Sequence, residues 1–66
     1  MNIYINDKAT EVADNASIAT IVAQLAIPEK GTAIAVNGTL APRDSWADTL
    51  LVENDKLLII SAAYGG

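Results

Sequence analysis

Few residues in this chain are equipped for covalent chemistry. It contains no cysteine and no histidine. Those zeros exclude a disulfide framework, a zinc site of the usual nitrogen and sulfur ligands, a cysteine nucleophile and the histidine base of a serine hydrolase. What remains is a set of carboxylates, an Asp44-Ser45 pair and a terminus reading Tyr64-Gly65-Gly66. Glu29, Asp44, Asp48, Glu53 and Asp55 lack the spacing of a calcium loop. They read as solvated surface, with steering toward a basic partner as their collective use. No catalytic residue and no metal site is expected within the chain. The terminus is different. Glycine has no Cβ, so two in succession form a thin thread ending in an unhindered carboxylate. Such a thread suits a narrow active site on another protein.

A thread of this kind is useful only on a rigid anchor, and the rest of the chain must supply it. The 66 residues carry 8 acidic and 4 basic side chains, a formal net charge of −4. That balance argues against nucleic acid, because neutralising phosphates needs a basic face. A hydrophobic content of 52% is too high for a disordered tail. No basic start precedes an apolar run, and no run reaches membrane length. The expectation is one cytoplasmic domain over residues 1–66, monomeric when free, with a flexible tail from about residue 63.

Period-two alternation predicts a strand over Met1–Ile5, with Met1, Ile3 and Ile5 on one side and Asn2 and Tyr4 on the other. Asn6-Asp7 predicts a tight turn into a second strand, Lys8–Ala13. Ser17 is a good N-cap, and Ile18, Ile21, Val22 and Leu25 form one apolar stripe, so a helix is expected over roughly 18–26. Pro28 stops it. Thr32–Val36 reads as a third strand, Asn37-Gly38 as a turn and Thr39–Ala41 as a short fourth strand. Pro42 opens a helical turn over Arg43–Asp48, with Trp46 expected to plug the open end of the sheet. Asn54 is the expected positive-φ residue of a turn before the last strand, Lys56–Ala62. That strand is apolar on both faces, which places it at the centre of the sheet beside Met1–Ile5. One helix over one face of one sheet gives a two-layer α+β domain.

One sheet face is then left uncovered. It carries Tyr4, Leu58, Ile60 and Ala62, while Leu57 and Ile59 face the helix. A contiguous apolar patch on a small domain reads as a partner-binding face; scattered surface residues are the plainer account. Arg43 is a further partner contact for an acidic patch, against the plainer account of a solvated charge.

Taken in order, Ile5-Asn6-Asp7, Ala35-Val36-Asn37-Gly38, Pro42-Arg43-Asp44-Ser45-Trp46, Asp55 before the last strand and the terminal Gly65-Gly66 resemble the ubiquitin-like sulfur carrier proteins. The likeness spans the whole chain and is nearest to the ThiS family of thiazole formation in thiamine biosynthesis. It implies a β-grasp fold, a mixed sheet of four to five strands with the C-terminal strand central and one main helix across one face. Two departures stand out: Asn54 replaces a usual glycine, and Tyr64 is larger than the usual residue before the glycines. Asparagine tolerates positive φ, so the turn survives.

The resemblance implies a carrier and not an enzyme. Gly66 is its site of covalent modification, and Tyr64, Gly65 and Gly66 enter the partner's active site. A ThiF-like adenylyltransferase using ATP and magnesium would adenylate the Gly66 carboxylate. A cysteine desulfurase or another sulfur donor would convert it to a thiocarboxylate, and thiazole synthase would take the sulfur. No cofactor would be bound by this chain, in which nothing resembles a phosphate loop. The alternatives are the small subunit of molybdopterin synthase, which uses the same chemistry, and a ubiquitin-like interaction module with an idle tail. An acyl carrier protein, suggested by Asp44-Ser45, is disfavoured by strand patterns at both ends.

Overall fold

The computed structural model describes residues 1–61. β1 (Asn2–Ile5) turns through Asn6-Asp7 into β2 (Lys8–Glu11). Both turn residues have positive φ, 50° and 69°. A two-residue hairpin needs that twist, and Asn and Asp tolerate it better than most. β2 stops at Glu11, short of the expected Ala13, because β1 begins opposite it, at Asn2. Asn2 pairs with Glu11, and Val12 N then donates to the Met1 carbonyl at 2.8 Å, at the very start of the chain.

The helix α1 (Ile18–Gln24) begins where Ser17 Oγ accepts from Thr20 N at 3.1 Å. Ile18, Ile21 and Val22 are buried and Leu25 is half-buried, as the stripe requires. The helix ends two residues before the expected position 26. Ala26 takes φ 55°, its N–H donates to Ala23 O at 3.2 Å, and Ile27 N donates to Val22 O at 3.0 Å. This pair of bonds is the Schellman closure, which usually has glycine at the left-handed position. Alanine accepts that strain here because Ile27, next in line, is buried against the core.

β3 (Ala33–Val36) and β4 (Thr39–Ala41) flank the Asn37-Gly38 turn, with φ 50° and 85°. A 3-10 helix (Arg43–Asp48) follows Pro42. Trp46 is buried, and its Nε1–H donates to the Ala41 carbonyl at 2.9 Å, so the indole closes the core without leaving its polar atom unpaired. Asn54 sits at φ 70° in the last turn, and β5 (Lys56–Ile60) follows.

The sheet order is β2-β1-β5-β3-β4. β5 is central, parallel to β1 and antiparallel to β3. Its alternation divides two layers. Leu57 and Ile59 are buried with Ile3, Ile5, Ile34 and the helix stripe, while Lys56, Leu58 and Ile60 point away from that core. Among the described residues no helix is long and apolar enough to cross a membrane.

Candidate functional site

β5 is the anchor of the chain end, and side chains as well as strands hold it. At its start, Asn37 Nδ2 donates to Asp55 Oδ1 at 2.9 Å, and Lys56 N donates to Asn37 Oδ1 at 3.0 Å. Val52 N donates to the other Asp55 oxygen at 2.8 Å. Asp55 is therefore buried and engaged, not part of the solvated surface expected of it. The reason is its place in the turn: a carboxylate tucked beneath two donors is worth more there than in water. Glu29, Asp44, Asp48 and Glu53 are exposed as expected, and Glu53 Oε2 accepts from Asn2 N at 3.0 Å. Near the end of β5, Ile59 N donates to Asn6 Oδ1 at 2.7 Å, and Asn6 Nδ2 donates to Ile59 O at 3.1 Å.

The strand registers assemble the open face. Tyr4 lies opposite Lys56, Leu58 opposite Ala35, and Ile60 opposite Ala33. Residues directly opposite share a face, so Tyr4, Leu58 and Ile60 stand together. They are 37%, 51% and 53% exposed, which makes this a real apolar surface and not a second core. The same register adds Leu40, opposite Ala35 and 67% exposed, a residue that sequence reasoning missed. Only the pairing of β3 with β4 reveals it, since three residues of strand carry too little periodicity to orient a side chain.

The other expected site residues fall elsewhere. Arg43 is exposed at the first residue of the 3-10 helix, outside the strand register that builds the apolar face. Ala62, Tyr64, Gly65 and Gly66 lie outside the described residues. A cleft of about 300 Å³ opens between the two hairpin turns, lined by Asn6, Asp7, Gly38, Lys56 and Leu58. That volume is at the lower limit of small-molecule sites.

A mixed five-stranded sheet with its last strand central, covered on one side by one helix and bare on the other, defines a ubiquitin-like β-grasp protein. Two solved structures of a thiamine biosynthesis protein (ThiS) from Geobacter metallireducens share this fold at 20% identity. The crystal structure has a TM-score of 0.83 with both chains fully covered, and the NMR structure has 0.80 with 88% of that chain covered. The chain belongs to the ThiS family, which matches residues 2–66. It is 30% identical over 66 residues to the sulfur carrier protein ThiS of Escherichia coli (strain K12), with the whole of both chains aligned.

Proposed function

We infer that this chain is a cytoplasmic sulfur carrier of thiamine biosynthesis whose working group is the Gly66 carboxylate. The observation that supports it best is a family match and a full-length relative, both aligned through Gly65-Gly66. A carboxylate is a poor electrophile, because its charge repels nucleophiles and oxide is a poor leaving group. A ThiF-like enzyme, with ATP and magnesium on its own surface, joins Gly66 to AMP and releases pyrophosphate. The terminal sulfur of a donor persulfide then forms a bond to the Gly66 carbonyl carbon, and the bond to AMP breaks. A thiol reductant cleaves the remaining sulfur–sulfur bond, leaving a thiocarboxylate. Thiazole synthase accepts that sulfur. The chain supplies the thread and a docking face of Tyr4, Leu58 and Ile60, joined by Leu40; Arg43 and Ala62 extend the contact. The catalytic groups belong to the partners, which is consistent with a sequence lacking cysteine and histidine.

The test is the intact mass of the protein after incubation with ATP, magnesium, a ThiF-like enzyme, a persulfide donor and a thiol reductant. The expected gain is one oxygen-to-sulfur exchange, confined to Gly66 by fragmentation and lost on deleting Gly66. An unchanged mass rejects the carrier reading. Co-purification with the large subunit of molybdopterin synthase in place of thiazole synthase reassigns the pathway.

A further inference from the structure

We propose that Asn6 is a positioning residue for this carrier: its side-chain carboxamide stands in for missing strand and carries the β1-side grip on β5 as far as Ile59. The proposal rests on the carrier reading above. β1 and β5 run in parallel, but β1 is too short. Their register ends at Ile5 opposite Leu57, where Asn6 N donates to Leu57 O at 2.9 Å. The chain then reverses through Asn6-Asp7 into β2. Ile59 is thereby left with no β1 residue beside it. A longer parallel partner would accept from Ile59 N and donate to Ile59 O through its peptide groups. Asn6 does both with one amide, at 2.7 Å and 3.1 Å.

The substitution needs this residue type. The position requires positive φ, 50° here, which favours Gly, Asn and Asp. It also requires a donor and an acceptor on one short side chain, which among those three only asparagine has. The turn alone would be satisfied by glycine. On the other side of β5, Leu58 and Ile60 face Ala35 and Ala33 of β3, so the neighbours of Ile59 are held there while its own N–H and C=O turn to Asn6. Six residues separate Ile59 from Gly66. Without Asn6, the last hydrogen-bonded β5 residue on the β1 side becomes Leu57. The β1-side grip on β5 then ends two residues earlier, about 7 Å back along the strand, and β3 alone pairs with Leu58–Ile60. A loosened strand end places the reacting carboxylate less exactly, and an error of about 1 Å is enough to lose rate.

Asn6→Gly separates the two roles, because it keeps the turn and removes the amide. Asn6→Asp is the second variant, retaining the acceptor and losing the donor. Asp7→Gly, in the same turn, is the control. Amide exchange of the free proteins should show Ile59 exchanging about five- to thirtyfold faster in Asn6→Gly, relative to Ile34, and less so in Asn6→Asp. In the thiocarboxylate-forming reaction, Asn6→Gly should lower kcat about tenfold with KM within twofold, since the docking face is intact. Asp7→Gly should match the wild type in both. Unchanged Ile59 exchange, or a wild-type kcat in Asn6→Gly, overturns the positioning role while leaving the carrier reading in place. A wild-type protein that gains no sulfur overturns both.

Discussion

Replacing Asp55 with alanine should be among the most damaging single changes outside the apolar core. The carboxylate accepts two hydrogen bonds, from Val52 N at 2.8 Å and Asn37 Nδ2 at 2.9 Å, and Asp55 is only 9% exposed. Bonds to a charged group contribute about 1.5–3 kcal/mol each. Val52 and Asn37 are exposed, so water can reach part of what the alanine variant leaves unpaired. The lower end of the range therefore applies, about 2–3 kcal/mol in total. A domain of this length has a stability on the order of 3–10 kcal/mol, so the loss is a large fraction of it. At roughly 4–8 °C per kcal/mol, the midpoint should fall by about 10–20 °C. Trp46 is the only tryptophan and is buried, so its fluorescence reports urea unfolding directly. A double-mutant cycle with Asn37→Ala should give a coupling of about 1 kcal/mol, because one of the two bonds is shared. An Asp55→Ala protein within 0.5 kcal/mol of wild type, on the order expected of a bland surface change, would refute the assignment of Asp55 as a structural carboxylate.

Leu58→Asp should leave urea stability nearly unchanged, because the side chain is half exposed. It should raise the KM for the ThiF-like enzyme by at least about tenfold, as measured by pyrophosphate release. Ala26→Gly should stabilise the protein by about 0.5–1 kcal/mol in a denaturant titration, since it relieves a left-handed alanine at the helix end. The Met1 amine donates to Asp14 Oδ1 at 3.0 Å and to Val12 O at 2.8 Å. The bond to Asp14, opposed by desolvation and helped by the charges of Asp14, Glu53 and Glu11, raises the amine above its ordinary 8.0. Folding thus favours the protonated form. Its contribution is complete below pH 8 and is lost as pH rises through the raised value. Thermal midpoints measured across that range should decline in the wild type and decline less in Asp14→Asn.

The element order was legible in the sequence because each signal is local. Alternation over Met1–Ile5, the Ser17 cap, the stripe from Ile18 to Val22 and the Asn-Gly turn all act between residues a few positions apart. They specified the two-layer fold and the centrality of β5, since a strand apolar on both faces has nowhere else to go. The edges were less legible. Lys8–Ala13 reads as six residues of strand, but β2 ends at Glu11, opposite the first residue of β1. The helix read to residue 26, but Ile27 was drawn into the core and Ala26 turned left-handed to allow it.

For the site, the sequence by itself determined which groups are on offer: no cysteine or histidine, a terminal Gly65-Gly66, and Tyr4, Leu58 and Ile60 on one face of two neighbouring strands. Only the tertiary structure decided what surrounds them. Leu40 joins the apolar face through the pairing of β3 with β4. Asp55 is buried because Asn37 comes from eighteen positions away to meet it, and Asn6 holds Ile59 across a separation of 53. Asn6 and Asn37 both read as turn residues, which they are; backbone preference acts on each residue alone. Their second duty, hydrogen-bonding the central strand, exists only once the sheet has brought distant backbone within 3 Å of their amides.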